Sequence, residues 1–194
     1  REDLGRVLGD AERCRETVKE LLEFTRQTRH LMRPNDVNQA LRRTLFLLKS
    51  QSLFHNIVMD VDLDEQLPAV HCDIQQLNHM LMNIILNAAQ AMKGCGALSI
   101  RTRAAPDRPW VRIEITDTGP GIPPDVLPHI FEPFFTTKDE GEGTGLGLSL
   151  VYGIVENHGG QIKAFSEPGQ GAAFVIELPV TPKSDGDRAG EQES

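Results

Sequence analysis

The stretch Gly143-Thr144-Gly145-Leu146-Gly147-Leu148 is the strongest indication of fold and function in this chain. Together with Gly141 it places four glycines at every second position, directly before Leu146 to Val155, an apolar segment compatible with a helix. Glycine lets the backbone approach a ligand closely. The N-terminus of a helix adds unpaired N–H groups and a dipole that favours anions. The stretch therefore predicts a phosphate site.

Other phosphate-binding motifs do not fit this glycine run. No Gly-Lys-Ser/Thr follows it, as a P-loop requires, and Lys138-Asp139-Glu140 before it is not a strand, as a dinucleotide-binding fold requires. The chain also contains no His-Arg-Asp and no Asp-Phe-Gly. Their absence from the sequence argues against a protein kinase of the Ser/Thr/Tyr type.

The composition favours a cytoplasmic domain that does not bind nucleic acid. The 194 residues are 39% apolar, enough for one domain with an extension, and they carry a net charge of −8, whereas nucleic-acid binders are usually basic. Three cysteines without a C-x-x-C pair indicate reduced thiols and no zinc site. No apolar run approaches the roughly 18 residues that span a membrane. The chain opens on Arg1, which leaves room for a membrane segment upstream in a longer protein.

Residues 1–33 are predicted to form one helix that ends at Pro34. Their apolar or small residues follow an alternating three- and four-residue spacing, which is typical of a coiled coil or a helical hairpin. The alternative is an amphipathic helix packed on its own domain. The narrow stripe and the length of the helix favour the hairpin or intermolecular seam.

Beyond residue 34 the hydrophobic pattern predicts three helices and five strands. The helices are 37–52, a segment between its cap Asp73 and Gly94, and 146–157, and the strands are 57–63, 97–103, 110–117, 161–166 and 172–179. Residues 118–143 lack a long element and are predicted to be a lid, and residues 181–194 a disordered tail. Because helices and strands do not alternate one by one, we expect a mostly antiparallel mixed sheet with helices on one face.

Asn83 and Asn87 lie four residues apart in the predicted helix between Asp73 and Gly94 and therefore on one helix face. An asparagine within an apolar stripe needs a partner for its amide. The carbonyl oxygen of Asn87 is a ligand that Mg²⁺ accepts. Two surface amides are the alternative interpretation.

The stretch Asp117-Thr118-Gly119-Pro120-Gly121 ends a predicted strand. A carboxylate there can accept a hydrogen bond from an exocyclic amine such as that of adenine, and the glycines let the chain turn beneath a flat ring. An ordinary turn explains Asp-x-Gly equally well when it is taken alone.

Taken together and in this order, the three stretches resemble the ATP-binding domain of sensor histidine kinases. Asn83–Asn87 resembles the N box of that family, Asp117–Gly121 its G1 box and Gly143–Gly147 its G2 box, with Phe131–Phe135 between them as the F box. The resemblance assigns residues 34–180 to the catalytic domain. It assigns residues 1–33 to the second helix of the dimerisation hairpin, and nitrogen-regulation kinases are the most similar subgroup.

The resemblance implies a histidine kinase with a Bergerat (GHKL) fold, an α+β two-layer sandwich that binds Mg-ATP beneath a mobile lid. Asn87 would ligate Mg²⁺ and Asp117 would hold the adenine amine. Lys138 could reach the terminal phosphate as a point charge, with a solvated lid lysine as the alternative. The implied nucleotide contacts are Asn87, Asp117, Gly119, Gly121, Phe131, Gly143, Thr144, Gly145, Leu146, Gly147 and Leu148.

Position 83 separates two reactions. In related ATPases of this fold a glutamate there activates water, whereas Asn83 cannot act as a general base. Attack by water is therefore not promoted. The resemblance implies that the phosphoryl group passes to an imidazole on the hairpin, presented in line with the γ-phosphate. In this family the phosphoacceptor histidine lies in the H box, where it is followed by an acidic residue and, a few positions on, by a proline. None of the six histidines has these neighbours, so we expect this chain to lack its own phosphoacceptor.

The resemblance also implies the partners. They are ATP and ADP, the histidine-containing hairpin of the same protein and the receiver domain of a response regulator, with a homodimer in the full-length protein. A GHKL-type ATPase or conformational clamp is one alternative, and a serine kinase that acts on an anti-anti-sigma partner is another. The hairpin-like first helix favours the histidine kinase.

Overall fold

The computed structural model describes residues 31–138 and 143–181. The predicted N-terminal helix and the predicted tail lie almost entirely outside this part of the chain. Three helices are described, α1 (Val37–Lys49), α2 (Ile74–Ala91) and α3 (Gly147–Asn157), with 3₁₀ turns at Ser52–Phe54 and Leu127–His129. The strands are β1 (Arg33–Asn35), β2 (Asn56–Leu63), β3 (Val70–Cys72), β4 (Cys95–Ala104), β5 (Trp110–Asp117), β6 (Gln161–Ser166) and β7 (Ala172–Pro179).

Five strands form one mixed sheet in the order β2-β4-β5-β7-β6. β2 and β4 are parallel, and all other neighbours in this sheet are antiparallel. The parallel pair arises because the chain leaves β2, crosses through α2 and returns alongside as β4, whereas antiparallel neighbours need only a turn. The predicted mostly antiparallel mixed sheet is confirmed.

The helices cover one face of the sheet and form the second layer. Along β5 the buried residues alternate with more exposed ones, as expected for a strand with one covered face. α2 packs against β4 and β5, α3 packs against β6, and α1 packs against α2. The buried stripe of α2 consists of Leu77, Met80, Leu81, Ile84, Ile85, Ala88 and Ala89. This stripe fastens α2 to the sheet, so the residues on its other faces hold fixed positions.

The short ladder between β1 and β3 has no counterpart in the prediction. Pro34 lies inside β1, opposite His71, and the helix predicted for residues 1–33 does not extend to Leu31. The predicted helix end at Pro34 is therefore wrong. Proline is tolerated in such an edge strand because a missing N–H need not break a ladder bond there. Strands of three residues are too short to show an alternating pattern.

Two aspartates cap two of the described helices, and one of them, Asp73, was predicted to do so. Asp36 Oδ1 accepts a hydrogen bond from the N–H of Gln39 at the start of α1, and Asp73 Oδ1 accepts two at the start of α2. The N–H of Asp73 itself donates to His158 Nε2 at 3.0 Å, and the other ring nitrogen of His158 contacts the carbonyl oxygen of Ile154 at 2.7 Å. His158 thereby ties the end of α3 to the cap of α2. None of the described helices is long and apolar enough to cross a bilayer.

Candidate functional site

One face of α2 carries the residues around which the predicted motifs meet. Asn83, Asn87, Gln90 and Ala91 follow one another at helical spacing and therefore lie along one side of the helix. A Cβ placed on Gly147 would lie 3.2 Å from Asn83 Oδ1 and 3.7 Å from Asn87 Nδ2. The structure thus brings the start of α3 against the two asparagines.

The same helix also contacts the other two motif segments. Lys138 Nζ donates a hydrogen bond to Gln90 Oε1 at 2.6 Å. A Cβ placed on Gly119 would lie 3.5 Å from the Cβ of Ala91. The glycine run, Lys138 and the Asp-Gly turn are therefore arranged in order along α2, although they are separated in sequence.

The side chain of Asn83 is held by its own helix. Asn83 Nδ2 donates to the carbonyl oxygen of His79 at 3.1 Å, one turn earlier in α2, and this bond directs Oδ1 toward Gly147. A neutral amide in this place can orient a neighbouring group but cannot take a proton from water. The contact is compatible with phosphoryl transfer and does not supply the base that hydrolysis needs.

Asn87 offers a single neutral oxygen for a metal. No hydrogen bond joins its amide to another residue of the described chain. Within the same residues, no cluster of three or more His, Cys, Asp or Glu side chains could hold a metal ion. Mg²⁺ usually binds through one or two protein oxygens, several waters and the phosphates of a substrate. Asn87 therefore fits a Mg²⁺ ion that arrives with a nucleotide and does not fit a permanent metal centre.

Asp117 ends β5 on the covered face of the sheet, and only 4% of it is exposed. Burial raises the pKa of its carboxyl group, while hydrogen bonds from the backbone amides of Gly119 and Ala172 act in the opposite direction. The Gly119 N–H reaches Asp117 Oδ1 at 2.8 Å. A buried carboxylate with remaining acceptor capacity is suited to a ligand that brings an N–H donor.

Two glycines allow the loops around Asp117 to approach each other. Gly121 has a φ of +75°, and a Cβ on it would collide with the carbonyl oxygen of Glu167. Gly171 has a φ of +79°, and a Cβ on it would collide with the carbonyl oxygen of Asp117. Only glycine fits both the backbone conformation and the space at these positions. Close contact between the β5 end and the β6–β7 turn therefore depends on them.

The glycine run leads into α3 without a side-chain cap. Leu146 occupies the cap position of α3, and its apolar side chain accepts no hydrogen bond from the first N–H groups of the helix. Its own N–H donates to Thr144 Oγ1 at 3.3 Å, and the Gly145 carbonyl oxygen accepts from the Phe134 N–H at 3.0 Å. Leu148, in the first turn of α3, packs against the core. A helix N-terminus without a side-chain cap keeps its N–H groups available for an anion.

The two lid residues assigned to the site lie in different surroundings. The ring of Phe131 packs against Tyr152 at 5.7 Å and Phe174 at 6.5 Å between centroids, so it anchors the lid to the core. Lys138 lies near Gly143, since a Cβ on Gly143 would be 3.1 Å from Lys138 Cδ. Lys138 is therefore placed between Gln90 and the glycine run.

Three residues of this arrangement were not selected from the sequence: Gln90, Ser166 and Ala172. Gln90 lies one turn beyond Asn87, so the helical period could have indicated it. Ser166 lies 44 residues from its partner Ile122. No local pattern indicates a contact between segments that far apart.

Comparison with known proteins identifies the family. A family model described as "Histidine kinase-, DNA gyrase B-, and HSP90-like ATPase" matches residues 72–182. Sensor histidine kinase ZraS of Escherichia coli (strain K12) is 38% identical over 171 residues, which cover 88% of this chain and 36% of ZraS. The chain thus spans about a third of the length of this relative.

Two solved structures show the same fold. The catalytic domain of histidine kinase ThkA is 32% identical with a TM-score of 0.69, over 78% of this chain and 97% of that domain. Full-length ShkA, solved in complex with AMPPNP, is 29% identical with a TM-score of 0.75, over 87% of this chain and 36% of ShkA. The match therefore extends over nearly the whole ThkA catalytic domain and over part of ShkA.

Proposed function

Since this chain belongs to the family of histidine kinase-, DNA gyrase B- and HSP90-like ATPases and carries the ATP-binding catalytic domain of a sensor histidine kinase, we propose that it transfers the γ-phosphoryl group of Mg-ATP to a histidine on a dimerisation hairpin. The observation that carries the proposal is the amide of Asn83, which faces the start of α3 where a water-activating carboxylate would otherwise stand. Without that base, attack by water is not promoted, and the phosphoryl group awaits a stronger nucleophile.

In this proposal each end of the nucleotide has its own residues. Asp117 accepts a hydrogen bond from the adenine amine, and the turn through Gly119 and Gly121 passes beneath the ring. The burial of Asp117 and the two backbone amides that orient its carboxylate support this role. Asn87 supplies an oxygen ligand to the Mg²⁺ that accompanies the triphosphate, and this ion neutralises phosphate charge when it is bound.

The phosphates are proposed to lie along the glycine run, between Gly143 and Leu148, against the N-terminus of α3. Lys138 then provides a positive charge near the terminal phosphate. Its position between Gln90 and Gly143 supports this role. Phe131 holds the lid in place through its aromatic contacts.

Two histidines in the described part of the chain are already engaged in contacts of their own. Both ring nitrogens of His158 are occupied by backbone groups, and His129 pairs with Glu132 in the lid at 2.7 Å. We therefore propose that an imidazole on a separate hairpin receives the phosphoryl group, with the residues before Leu31 forming the second helix of that hairpin and the interface of a homodimer. The nitrogen-regulation-like subgroup is part of this proposal.

The proposed acceptor of the next transfer is the receiver domain of a response regulator. A ThkA chain that is 28% identical, with a TM-score of 0.76, was solved in complex with the response regulator TrrA. This neighbour supports the type of partner and not its identity. We place the domain in the cytoplasm, with any membrane attachment supplied by residues outside this chain.

The test is a phosphorylation assay with γ-labelled ATP. The chain is incubated with and without a separately supplied hairpin that carries an H-box histidine. We expect acid-labile, alkali-stable label on the hairpin and none on the chain alone. Stable label on the chain alone, or no label on the hairpin despite ATP binding, would contradict the proposal.

An ATPase or conformational clamp of the same fold is the second candidate, because the family model includes ATPases. The two functions differ in steady-state hydrolysis. A histidine kinase domain without its acceptor should release phosphate slowly, whereas rapid turnover that is independent of the hairpin would favour the ATPase.

A further inference from the structure

A single hydroxyl group connects the two loops that flank Asp117. Ser166, at the end of β6, is partly buried. Its Oγ accepts a hydrogen bond from the N–H of Ile122 at 2.8 Å and donates one to the carbonyl oxygen of Gly171 at 2.6 Å. A serine hydroxyl has one donor and two acceptor positions, so this bridge uses both functions of the group.

The Gly171–Ala172 peptide unit carries the effect of this bridge to Asp117. This unit lies directly against Asp117, since a Cβ on Gly171 would collide with the Asp117 carbonyl oxygen. Its own carbonyl oxygen accepts from Ser166, and its N–H, on Ala172, faces the carboxylate of Asp117 and acts to lower the pKa of that group. A peptide unit is planar and trans, so its C=O and N–H point in opposite directions. A hydrogen bond that fixes the carbonyl therefore also fixes the direction of the N–H that orients the carboxylate.

The second loop is held in the same way. The N–H of Gly119 donates to Asp117 Oδ1. Ile122, whose N–H donates to Ser166, lies three residues further along this loop. The N–H of Gly169 also donates to the carbonyl oxygen of Pro120 at 2.7 Å. Both amides that orient the Asp117 carboxylate thus belong to segments that Ser166 joins.

We propose that Ser166 is a positioning residue that sets the selectivity of the site for adenine. The proposal rests on the proposed role of Asp117 as acceptor for the adenine amine. A site built to accept a hydrogen bond from that amine rejects a base without it, because its buried acceptor then stays unpaired. Hypoxanthine is such a base, since it carries an oxygen in place of the amine. When Ser166 no longer holds the two loops, the carboxylate can turn aside and the rejection weakens.

The test compares the affinities of ADP and IDP for the complete 194-residue chain, measured by calorimetry. In the wild-type chain we expect IDP to bind about 10- to 150-fold more weakly than ADP, the range for one hydrogen bond to a charged group. In Ser166→Ala the ratio should fall toward 1, mainly through weaker ADP binding. Ser166→Thr keeps the hydroxyl and should keep the ratio.

Thr102 provides a matched control. Its hydroxyl also donates once and accepts once, to Asn38 Oδ1 at 2.8 Å and from the Asp64 N–H at 3.1 Å, but it lies along β4 away from Leu98, the residue that pairs with Asp117. Thr102→Val should lower stability without changing the ratio of affinities. A purely structural role for Ser166 predicts the same behaviour for both variants.

The possible outcomes distinguish the role of Ser166 from that of Asp117. An unchanged ratio in Ser166→Ala, with normal selectivity in the wild type, overturns the role of Ser166 alone. Equal affinities of ADP and IDP for the wild type overturn both this role and that of Asp117. If Ser166→Ala does not fold, Ser166→Thr and Ser166→Val, which differ only in the hydroxyl, are compared instead, and equal ratios in this pair overturn the proposal.

Discussion

The two ends of the candidate site are built in different ways. Around Asp117, backbone segments interlock so closely that Gly121 and Gly171 leave no room for a side chain, and Ser166 bridges them. Around the glycine run, the lid reaches α2 through a hydrogen bond between two exposed side chains, Lys138 and Gln90. The end around Asp117, the proposed adenine end, is therefore rigid before any ligand binds. The end around the glycine run, the proposed phosphate end, is held by contacts that a ligand can replace.

This difference suits the proposed chemistry. A rigid acceptor discriminates between bases by the direction of their hydrogen-bond donors, because it cannot move to meet a donor that is misplaced. A phosphate end with weak, solvent-exposed contacts costs little to rearrange, since such contacts contribute about 0–1 kcal/mol. The γ-phosphate must also be accessible to an external imidazole in the proposed reaction, which a rigidly closed end would prevent.

The largest expected effect is that of Gly171→Ala at the rigid end. Its left-handed backbone costs a residue with a Cβ about 1–2 kcal/mol, and the collision with the Asp117 carbonyl adds about 1–3 kcal/mol. Gly169→Ala is the matched control, because Gly169 has a φ of +80° with nothing within 4 Å of its Cβ position. Urea unfolding should show the larger loss for Gly171→Ala. Equal losses would mean that the loops do not interlock.

Asp117→Ala tests the same end through the ligand. Removal of a hydrogen bond to a charged group should weaken ATP binding about 10- to 150-fold. Calorimetric titration with ATP measures the change, and circular dichroism verifies that the variant is folded. A loss of less than about twofold would rule out the adenine contact at this charged-group strength.

Asn87→Ala tests the phosphate end. We expect it to abolish the tightening of ATP binding by Mg²⁺ while the free energy of unfolding changes little, because no hydrogen bond joins this amide to another described residue. Affinities for ATP are compared in Mg²⁺ and in chelator. AMP is the control ligand, since it lacks the outer phosphates and its affinity should not change. Normal tightening by Mg²⁺ in the variant would assign Asn87 a structural role.

The raised pKa of Asp117 predicts a pH effect on stability. A carboxyl group whose pKa is higher in the folded than in the unfolded chain stabilises the fold when it is protonated. This contribution is complete below the unfolded value, near 3.8, and is lost as pH rises through the higher folded value. Relative to Asp117→Asn, which has no such group, the wild type should therefore gain stability as pH falls into this window. The free energy of unfolding of both chains is measured over a series of pH values. A difference between the two chains that stays constant or reverses would contradict the prediction.

Gln90→Ala should have the smallest effect. Its hydrogen bond with Lys138 is exposed, so the free energy of unfolding should change by less than about 0.5 kcal/mol. Hydrogen exchange of the lid amides should become faster, because one of the lid's contacts with α2 is removed. A loss of stability as large as that of Gly171→Ala would show that both ends of the site are equally rigid and would contradict the difference between them.

Long periodic elements were predictable from the sequence for a simple reason. One face of α2 and one face of β5 are buried, and each buried face appears in the sequence as a periodic pattern of apolar residues. Asp73 was recognisable as a cap because its side chain accepts a hydrogen bond from the first turn of the helix that directly follows it. The strands β1 and β3 were missed because they consist of three residues each, stabilised by each other rather than by local preference.

The sequence alone therefore determined the order of the motifs, the periods of the helices and strands, and an amide instead of a carboxylate at position 83. The tertiary structure decided which motif residues meet. It placed Gln90 beside Lys138, joined Ser166 to Ile122 and tied His158 to the cap of α2. The physical reason is that these contacts join segments distant along the chain through single hydrogen bonds. Such bonds leave no periodic trace in either segment, and they exist only after the sheet and its helices have brought both segments together.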